Sequence, residues 1–439
     1  MGAQRNAGRS GKLSVRHLVA ATYFMVSGGP YGLEELMHDA GYLGAVIALL
    51  VTPFLWSLPT ALMVSELSSA VPEEGGYYAW VKRALGPFWG FQEAWLSLAA
   101  SVFDMAIYPT LFTLYLGRLW PVFGSGIGAF AAGIAMIAAC AAWNVRGARS
   151  VGGSAVVMTV LLLAPFAVLA AIGFAHPAPS QAAAAHHAPD MLGALMIAMW
   201  NYMGWDNAST IAGEVERPQR TYPVAMLVAV ALVAITYVIP VAAMARSGID
   251  PASWTTGSWA DAGGTLAGRW LAVAIVAGGV VCAFGMFNAL VLSYTRLPPA
   301  LAEDGYLPKV LAKRHPRSGA PWVSIVVCAA LWACCLGIGF SRLVAIDLML
   351  YGLSLLLEFA ALVALRVREP SLPRPFRVWG GLAGAALVGV APAALIAIAL
   401  LRSADESIAG MNAIAFSALV IAAGPAIYAL GKLFRRKAA

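Results

Sequence analysis

The sequence predicts an all-α integral membrane protein: about twelve transmembrane helices, a 5+5 inverted repeat plus two C-terminal helices, with helices one and six discontinuous. Three observations predict it. The 439 residues are 61% hydrophobic and 11% charged, whereas soluble domains carry about 25% charged residues. Apolar stretches recur at the roughly 20-residue length that crosses a bilayer as a helix. Two of these stretches are interrupted by glycine-rich polar segments, Met25-Val26-Ser27-Gly28-Gly29-Pro30-Tyr31-Gly32 and Asn201-Tyr202-Met203-Gly204-Trp205-Asp206-Asn207, one in the first stretch of each five-span unit.

In chain order, residues 1–12 are polar and glycine-containing and predict a disordered cytoplasmic arm. A single transmembrane domain, 13–439, follows. Its spans are expected at 15–39, 43–70, 87–117, 124–143, 151–174, 190–214, 222–245, 267–296, 321–340, 343–366, 379–401 and 411–431. No short apolar leader with a cleavage site opens the chain, so the first span is expected to be retained. The low-complexity loop 175–189 separates five spans from the next five. Repeat one is therefore 13–174, repeat two 190–366, and the extra helices 379–431. An odd number of spans per repeat inverts the second unit relative to the first. The segments 72–78, 214–223 and 297–320 combine Pro, Gly and mixed charge, and read as linkers able to hold or release an inner gate.

Placing the N-terminus in the cytoplasm puts 23 of the 28 Lys and Arg residues on inner loops. That bias sets both termini inside, at the cytoplasmic membrane. It also accounts for the net charge of +7 without nucleic acid, whose partners cluster basic residues on one folded face. The five cysteines lie in predicted spans and form no CxxC pair. His176, His186 and His187 belong to a solvated Ala/Pro loop rather than a metal site. No nucleophile elbow, phosphate-binding loop or zinc-protease motif occurs. An enzyme, an ATP-driven pump, a cofactor and a metal are therefore not expected.

Lipid cannot satisfy a bare N–H or C=O, so unwound backbone at membrane depth survives where it lines a protein cavity. Paired breaks at matching positions in two halves point to the substrate site of a secondary transporter. At the first break, small residues Ser27, Gly28 and Gly29 leave backbone N–H groups free at a helix N-terminus, a place for a carboxylate; Tyr31 flanks them. At the second, unpaired carbonyls near Tyr202 suit an ammonium group, beside Gly204, Trp205 and Asp206, with Trp200 adjacent. An aromatic at such a place can occlude the site or stack on a cation; packing at an interface is the plainer alternative.

Ionisable residues inside a span are expensive and read as functional. Glu93, Ser97, Ser101 and Asp104 share one helical stripe at 100° per residue, extended by Tyr108. Asp206 lies at the second break, Glu34 just beyond the first, and Glu358 on the tenth span. These carboxylates are the candidates for proton coupling or charge selection. Each has a bland alternative: Asp206 as a helix N-cap, Glu34 as a cap or outer vestibule residue, Glu358 as a partner of Arg366, Glu66 as a structural residue at the inner boundary.

The stretches V-S-G-G-P-Y-G-L-E (26–34), P-E-E-G-G-Y-Y-A-W-V (72–81), A-L-G-P-F-W-G-F-Q (84–92), D-M-A-I-Y-P (104–109), W-N-Y-M-G-W-D-N-A-S-T-I-A-G-E-V (200–215) and L-L-E-F-A-A-L-V-A-L-R (356–366) resemble those of the amino acid–polyamine–organocation transporters. Within that superfamily the chain is most similar to the polyamine-uptake and L-type amino acid transporter-like branch. The resemblance implies a leucine-transporter-type fold with substrate held between helices one, three, six, eight and ten. It places Ser27, Gly28 and Gly29 at the carboxylate or equivalent site, and Asp104, Trp205 and Asp206 in or near the pocket. Two departures stand out. Residues 284–290 on the eighth span carry no acid, which weakens a polyamine reading, and 150–174 contain no lysine to replace a sodium ion.

The sequence thus leads to a secondary active transporter moving amino acids or related amines by alternating access. The partners expected are a small-molecule substrate, the lipid bilayer and a coupling ion, with a proton placed first. A polyamine importer or an amino acid exchanger is the nearer alternative, and a non-transporting membrane receptor the distant one.

Overall fold

The computed structural model describes residues 12–175, 190–337, 340–402, 407–408 and 411–438. Residues 1–11 of the expected arm 1–12, and residues 176–189 of the His-containing loop 175–189, lie outside them. The described residues are almost entirely helical. A parallel bridge between Leu13 and Val215 and a two-residue strand pair, Ser407–Ile408 with Met411–Asn412, are the extended pieces among them.

The helices in order are α1 (Val15–Val26), α2 (Glu34–Thr52), α3 (Leu58–Ala70), α4 (Tyr77–Leu85), α5 (Pro87–Leu119), α6 (Gly126–Asn144), α7 (Ala148–Ala175), α8 (Met191–Asn201) and α9 (Pro218–Met244). They continue with α10 (Ser258–Ala267), α11 (Arg269–Tyr294), α12 (Leu297–Glu303), α13 (Trp322–Ala333), α14 (Phe340–Arg368), α15 (Gly381–Leu387), α16 (Val390–Arg402) and α17 (Ala413–Ala438). Among the described residues, nine helical segments are long and apolar enough to cross a membrane. Side chains such as Leu43 at 75% and Ile127 at 89% exposure make an apolar outer surface that suits lipid rather than water.

Glycine chemistry explains where helices stop. Gly41, at φ +65 and ψ 174, bends α2 into a short arm and a long one. A π-helical turn, Pro53–Ser57, joins α2 to α3 where Pro53 and Pro59 deny backbone donors. The span expected over 321–340 is shorter: α13 ends at Ala333 and turns carry the chain to Gly337, whose φ of +97 is open to glycine at little cost.

The 33-residue α5 is about 50 Å long at 1.5 Å rise per residue. It packs against α11 and α14, and also against α4, α6 and α17. A second group comprises α1, α3 and α9, with α9 touching both α1 and α3, and α2 against α8. The Leu13 N–H donates to Glu214 O at 2.8 Å and the Glu216 N–H to Leu13 O at 2.9 Å. The entry to α1 is therefore stitched to the segment that follows the second break.

At the end of α14 an ion pair is buried. Glu66, 1% exposed, accepts from Arg366 Nε at 2.9 Å and from the Val378 N–H at 2.7 Å, with Arg374 at 3.4 Å. This corrects the alternative that Glu358 pairs with Arg366. Arg366 lies two turns further along the helix and its guanidinium is consumed by Glu66, Val378 O and Gly381 O. Removing one member of such a pair leaves a buried charge alone, at about 3 kcal/mol. Arg366→Met is expected to lower the melting temperature of the purified protein by several degrees, and Glu66→Leu added to it to restore most of the loss.

Candidate functional site

Both breaks are present and adjoin. The first is the stretch 27–33 between α1 and α2; the second is 202–205 between α8 and a 3-10 helix, Asp206–Glu214. Gly204 adopts φ +92, and a Cβ there would lie 2.5 Å from Met25 O, so glycine lets the two unwound segments touch. Their polar groups find partners inside the protein. Asn201 Nδ2 donates to Gly32 O at 3.2 Å, Trp259 Nε1 to Pro30 O at 2.8 Å, Trp56 Nε1 to Tyr202 O at 3.1 Å and Tyr237 Oη to Asn201 O at 2.7 Å. The Gly204 N–H donates to Tyr351 Oη at 3.0 Å, and Tyr351 donates in turn to Asp206 Oδ1.

A cavity lies between the breaks and helices α5, α11 and α14. It is tight, with about 30 Å³ open to the centre of a water molecule, room for a water or two. Gly28 and Tyr31 line it from the first break, Gly204 and Asn207 from the second, Asp104 and Tyr108 from α5. Cys282, Met286 and Tyr294 come from α11, and Asp347 and Tyr351 from α14. Aromatic rings make much of the wall. The lining residues include two carboxylates and no Lys, Arg or His.

The predicted residues sort into three groups. Gly28, Tyr31, Asp104 and Gly204 line the cavity. Asp104 accepts from Tyr108 Oη at 2.7 Å and Tyr294 Oη at 3.1 Å. Tyr31 donates to Ile275 O and presents its ring edge-on to Tyr115 and Phe166. Ser27, Gly29, Tyr202, Trp205 and Asp206 build the breaks from behind. Ser27 Oγ accepts the Gly29 N–H at 3.0 Å, so that donor is already used. Tyr202 Oη donates to Leu49 O at 3.0 Å. Trp205 is fully buried, and its indole N–H has no hydrogen-bond partner among the described residues. Asp206 stands one hydroxyl behind the wall, through Tyr351.

Glu34, Glu93 and Glu358 lie away from the cavity wall. Glu34 is held by the Gly32 N–H at 2.7 Å, the Gly257 N–H at 3.0 Å and Tyr115 Oη at 2.7 Å. With Arg118–Asp261 at 2.9 Å, it closes the end of the molecule where α5 finishes. At the opposite end, where α5 begins, Arg296–Glu214 at 2.9 Å, Arg314–Glu74 at 3.0 Å and Lys82–Asp304 tie the helix ends together. Glu93 accepts from Ser97 Oγ at 2.8 Å through one oxygen. Glu358 is fully buried.

Asp347 was not singled out from the sequence, yet it lines the cavity opposite Asp104 with no hydrogen-bond donor among the described residues. The signal was present. Asp347, Tyr351 and Glu358 fall within about 40° of one another at 100° per residue, the same kind of stripe that marked α5. Outside the spans, Asp190 caps α8: the Gly193 N–H at 2.9 Å, together with Arg402, holds its carboxyl below the usual range.

A closed, aromatic and acidic cavity bounded by unwound backbone inside a lipid-facing helical shell defines a multi-pass membrane transporter. The amino acid permease family profile matches residues 19–427. The chain is 37% identical over 393 residues to the polyamine transporter RMV1 of Arabidopsis thaliana, covering 88% of this chain and 80% of that one. It is 36% identical over 408 residues to the polyamine transporter PUT1 of Oryza sativa subsp. japonica, covering 92% and 76%. A probable polyamine transporter of Arabidopsis thaliana is 34% identical over 433 residues, covering 98% and 89%. The chain belongs to the amino acid permease family, in the polyamine-uptake branch of the amino acid–polyamine–organocation superfamily.

The break is fitted closely to α11. A Cβ on Gly28 would lie 2.5 Å from Cys282 Sγ and 2.8 Å from Met286 Sδ. Gly28→Ala is expected to lower uptake and thermal stability together, and Cys282→Ala in the same chain to recover both in part; a thermal-shift series on the three variants checks this.

Proposed function

We propose that this protein is a secondary active transporter of small organic amines carrying two or more ammonium groups, moved across the cytoplasmic membrane by alternating access and driven by proton symport. The observation that carries the substrate class is the pair Asp104 and Asp347 facing one aromatic cavity that no Lys or Arg lines. Carboxylates provide charge-assisted hydrogen bonds to ammonium groups, and Tyr108, Tyr294 and Tyr351 offer ring faces to a cation.

The reading that starts from amino acids needs a carboxylate cradle at the first break. There the Gly29 N–H is taken by Ser27, the Gly32 N–H by Glu34 and the Leu33 N–H by Pro30 O. These occupied donors narrow the cradle that a zwitterion's carboxylate would need to the N–H groups of Gly28 and Tyr31. The curated relatives are named polyamine transporters, which supports the same choice. The acid that the eighth span lacks is supplied, in this reading, by Asp347 on the tenth.

The architecture proposed for this cycle keeps twelve spans, with repeats 13–174 and 190–366, extra helices 379–431 and both termini in the cytoplasm. Its support is the opening of each half by a broken helix and the concentration of Lys and Arg at the α4, α12 and α14 ends. Ser27, Gly28, Gly29, Tyr31, Tyr202, Gly204 and Trp205 then form and back the hinge surfaces, while Asp104, Asp206 and Asp347 select charge. Glu34 belongs to the outer closure.

Asp347→Asn is expected to reduce putrescine uptake in proteoliposomes at least tenfold, chiefly through KM, while leaving the melting temperature within a few degrees. Alanine uptake that survives in wild type and variant alike, with no putrescine uptake, returns the substrate to amino acids. Binding of putrescine without counterflow makes the protein a receptor, and counterflow without net uptake makes it an exchanger.

A further inference from the structure

Helices α5 and α14 each carry two carboxyl groups on one face with the same spacing. On α5 they are Glu93 and Asp104; on α14 they are Asp347 and Glu358. Eleven residues are about three helical turns, so each pair stays on one face and is separated by about 16 Å. The two helices pack against each other, and Asp104 and Asp347 line the same cavity from them. The second level, Glu93 and Glu358, therefore falls together three turns nearer the start of α5. The structure has two storeys of carboxyl groups, and only one of them opens into the cavity.

The lower storey is unusual in its hydrogen bonding. Glu93 Oε2, both carboxyl oxygens of Glu358 and the Tyr77 hydroxyl are buried with no partner among the described residues. All three side chains are fully buried. Buried polar atoms are normally bonded, and each exception calls for an account. Here four such atoms on three residues fall in one place: Glu93, Glu358 and Tyr77 are electrostatic neighbours of one another and of Asp206.

The groups facing this place come from every element around it. α5 gives Glu93, with Ser97 bonded to it. α4 gives Tyr77 and, further out, Lys82 and Arg83, which are engaged by Asp304 and Glu369. The second break gives Asp206. α14 gives Tyr351 and Glu358, and its Arg366 is spent on Glu66 from α3. α15 and α16 carry no titratable residue before Arg402, and α17 gives Tyr428, stacked on Tyr306. Among the described residues, no cation balances the pair.

We infer that Glu93 and Glu358, with the Tyr77 hydroxyl between the helices, form a proton-binding site distinct from the amine cavity, at which the coupling proton is carried. This rests on the proposed proton symport and locates it. The step is a simple exchange: one O–H bond forms on a carboxyl oxygen of the pair when a proton enters from water on one side. The same bond breaks when the site opens to water on the other side, and no other bond changes. Tyr77 supplies a hydroxyl that can accept from the protonated carboxyl or donate to the ionised one. Asp206 links the storeys, since it faces the pair and is bonded to Tyr351 in the cavity wall. An ammonium group above and a proton below thus act on the same carboxylate, which ties occupancy of one site to occupancy of the other.

The test uses the full chain in proteoliposomes, with labelled putrescine and labelled alanine as substrates and a trapped pH dye. Glu358→Gln is expected to lose pH-gradient-driven accumulation at least tenfold more than it loses counterflow, and to show no dye response on substrate addition. Glu358→Asp is expected to restore part of the dye response, and Tyr77→Phe to shift the pH midpoint of accumulation. Glu358→Gln that accumulates substrate under a pH gradient like wild type overturns the site. So does wild-type accumulation that follows a sodium gradient and ignores pH. Should Glu358→Gln not fold, Glu93→Gln and Tyr77→Phe carry the same readouts, and unchanged pH dependence in both overturns it. Dye responses that accompany alanine rather than putrescine leave the proton site standing and remove only the substrate class.

Discussion

A membrane interior offers no water to a bare peptide group, and this molecule unwinds two helices inside it. Everything else in the structure answers to that constraint. The carbonyls exposed by the breaks are met by indoles, an amide and a phenol: Trp259 at Pro30, Trp56 at Tyr202, Asn201 at Gly32 and Tyr237 at Asn201. Each donor comes from a different helix than the carbonyl it serves or from the far side of a break. The unwound backbone is therefore held from outside the α5, α11 and α14 wall, by α8, α9, α10 and the Pro53–Ser57 turn. An unmet buried polar group would cost several kcal/mol in lipid, so these side chains are a condition for the cavity to exist.

The same scarcity of water sorts the carboxyl groups. Glu34 is satisfied by three donors and Glu66 by arginines, and both fasten helices. Asp104 is half-satisfied by two tyrosines and keeps a face toward the cavity. Asp347 has no donor among the described residues and faces the cavity. Glu93 and Glu358 are sealed away. Carboxyl groups thus stand in three kinds of surroundings, fastened, cavity-facing and sealed, and the difference lies in how many donors the fold brings to each.

Much of this could be read from the chain. The break positions, the lipid-facing composition and the α5 stripe follow from glycine placement and helical periodicity, which are local properties. Asp347 shares one face of α14 with Tyr351 and Glu358, a stripe that is legible in the chain, but its place in the cavity wall depends on the packing of α14 against α5. The Arg366–Glu66 contact that frees Glu358 joins residues 300 positions apart, and no local pattern encodes it. The role of Ser27 was hidden in the same way. A small polar residue at an unwound segment reads as space for a ligand, whereas its hydroxyl caps the neighbouring amide at 3.0 Å. Helix α13 came out short because the chain leaves the helix after Ala333 and turns through to Gly337, a stop that an unbroken apolar run masks.

The stitch between Leu13 and Val215 has a mechanical corollary. Two backbone hydrogen bonds make the first described residues a splint along the stub of the other broken helix. Neither unwound helix can swing alone at that end, because the peptide ladder would have to shear. The two breaks are therefore yoked at that end, and a displacement at Lys12 would be shared by both.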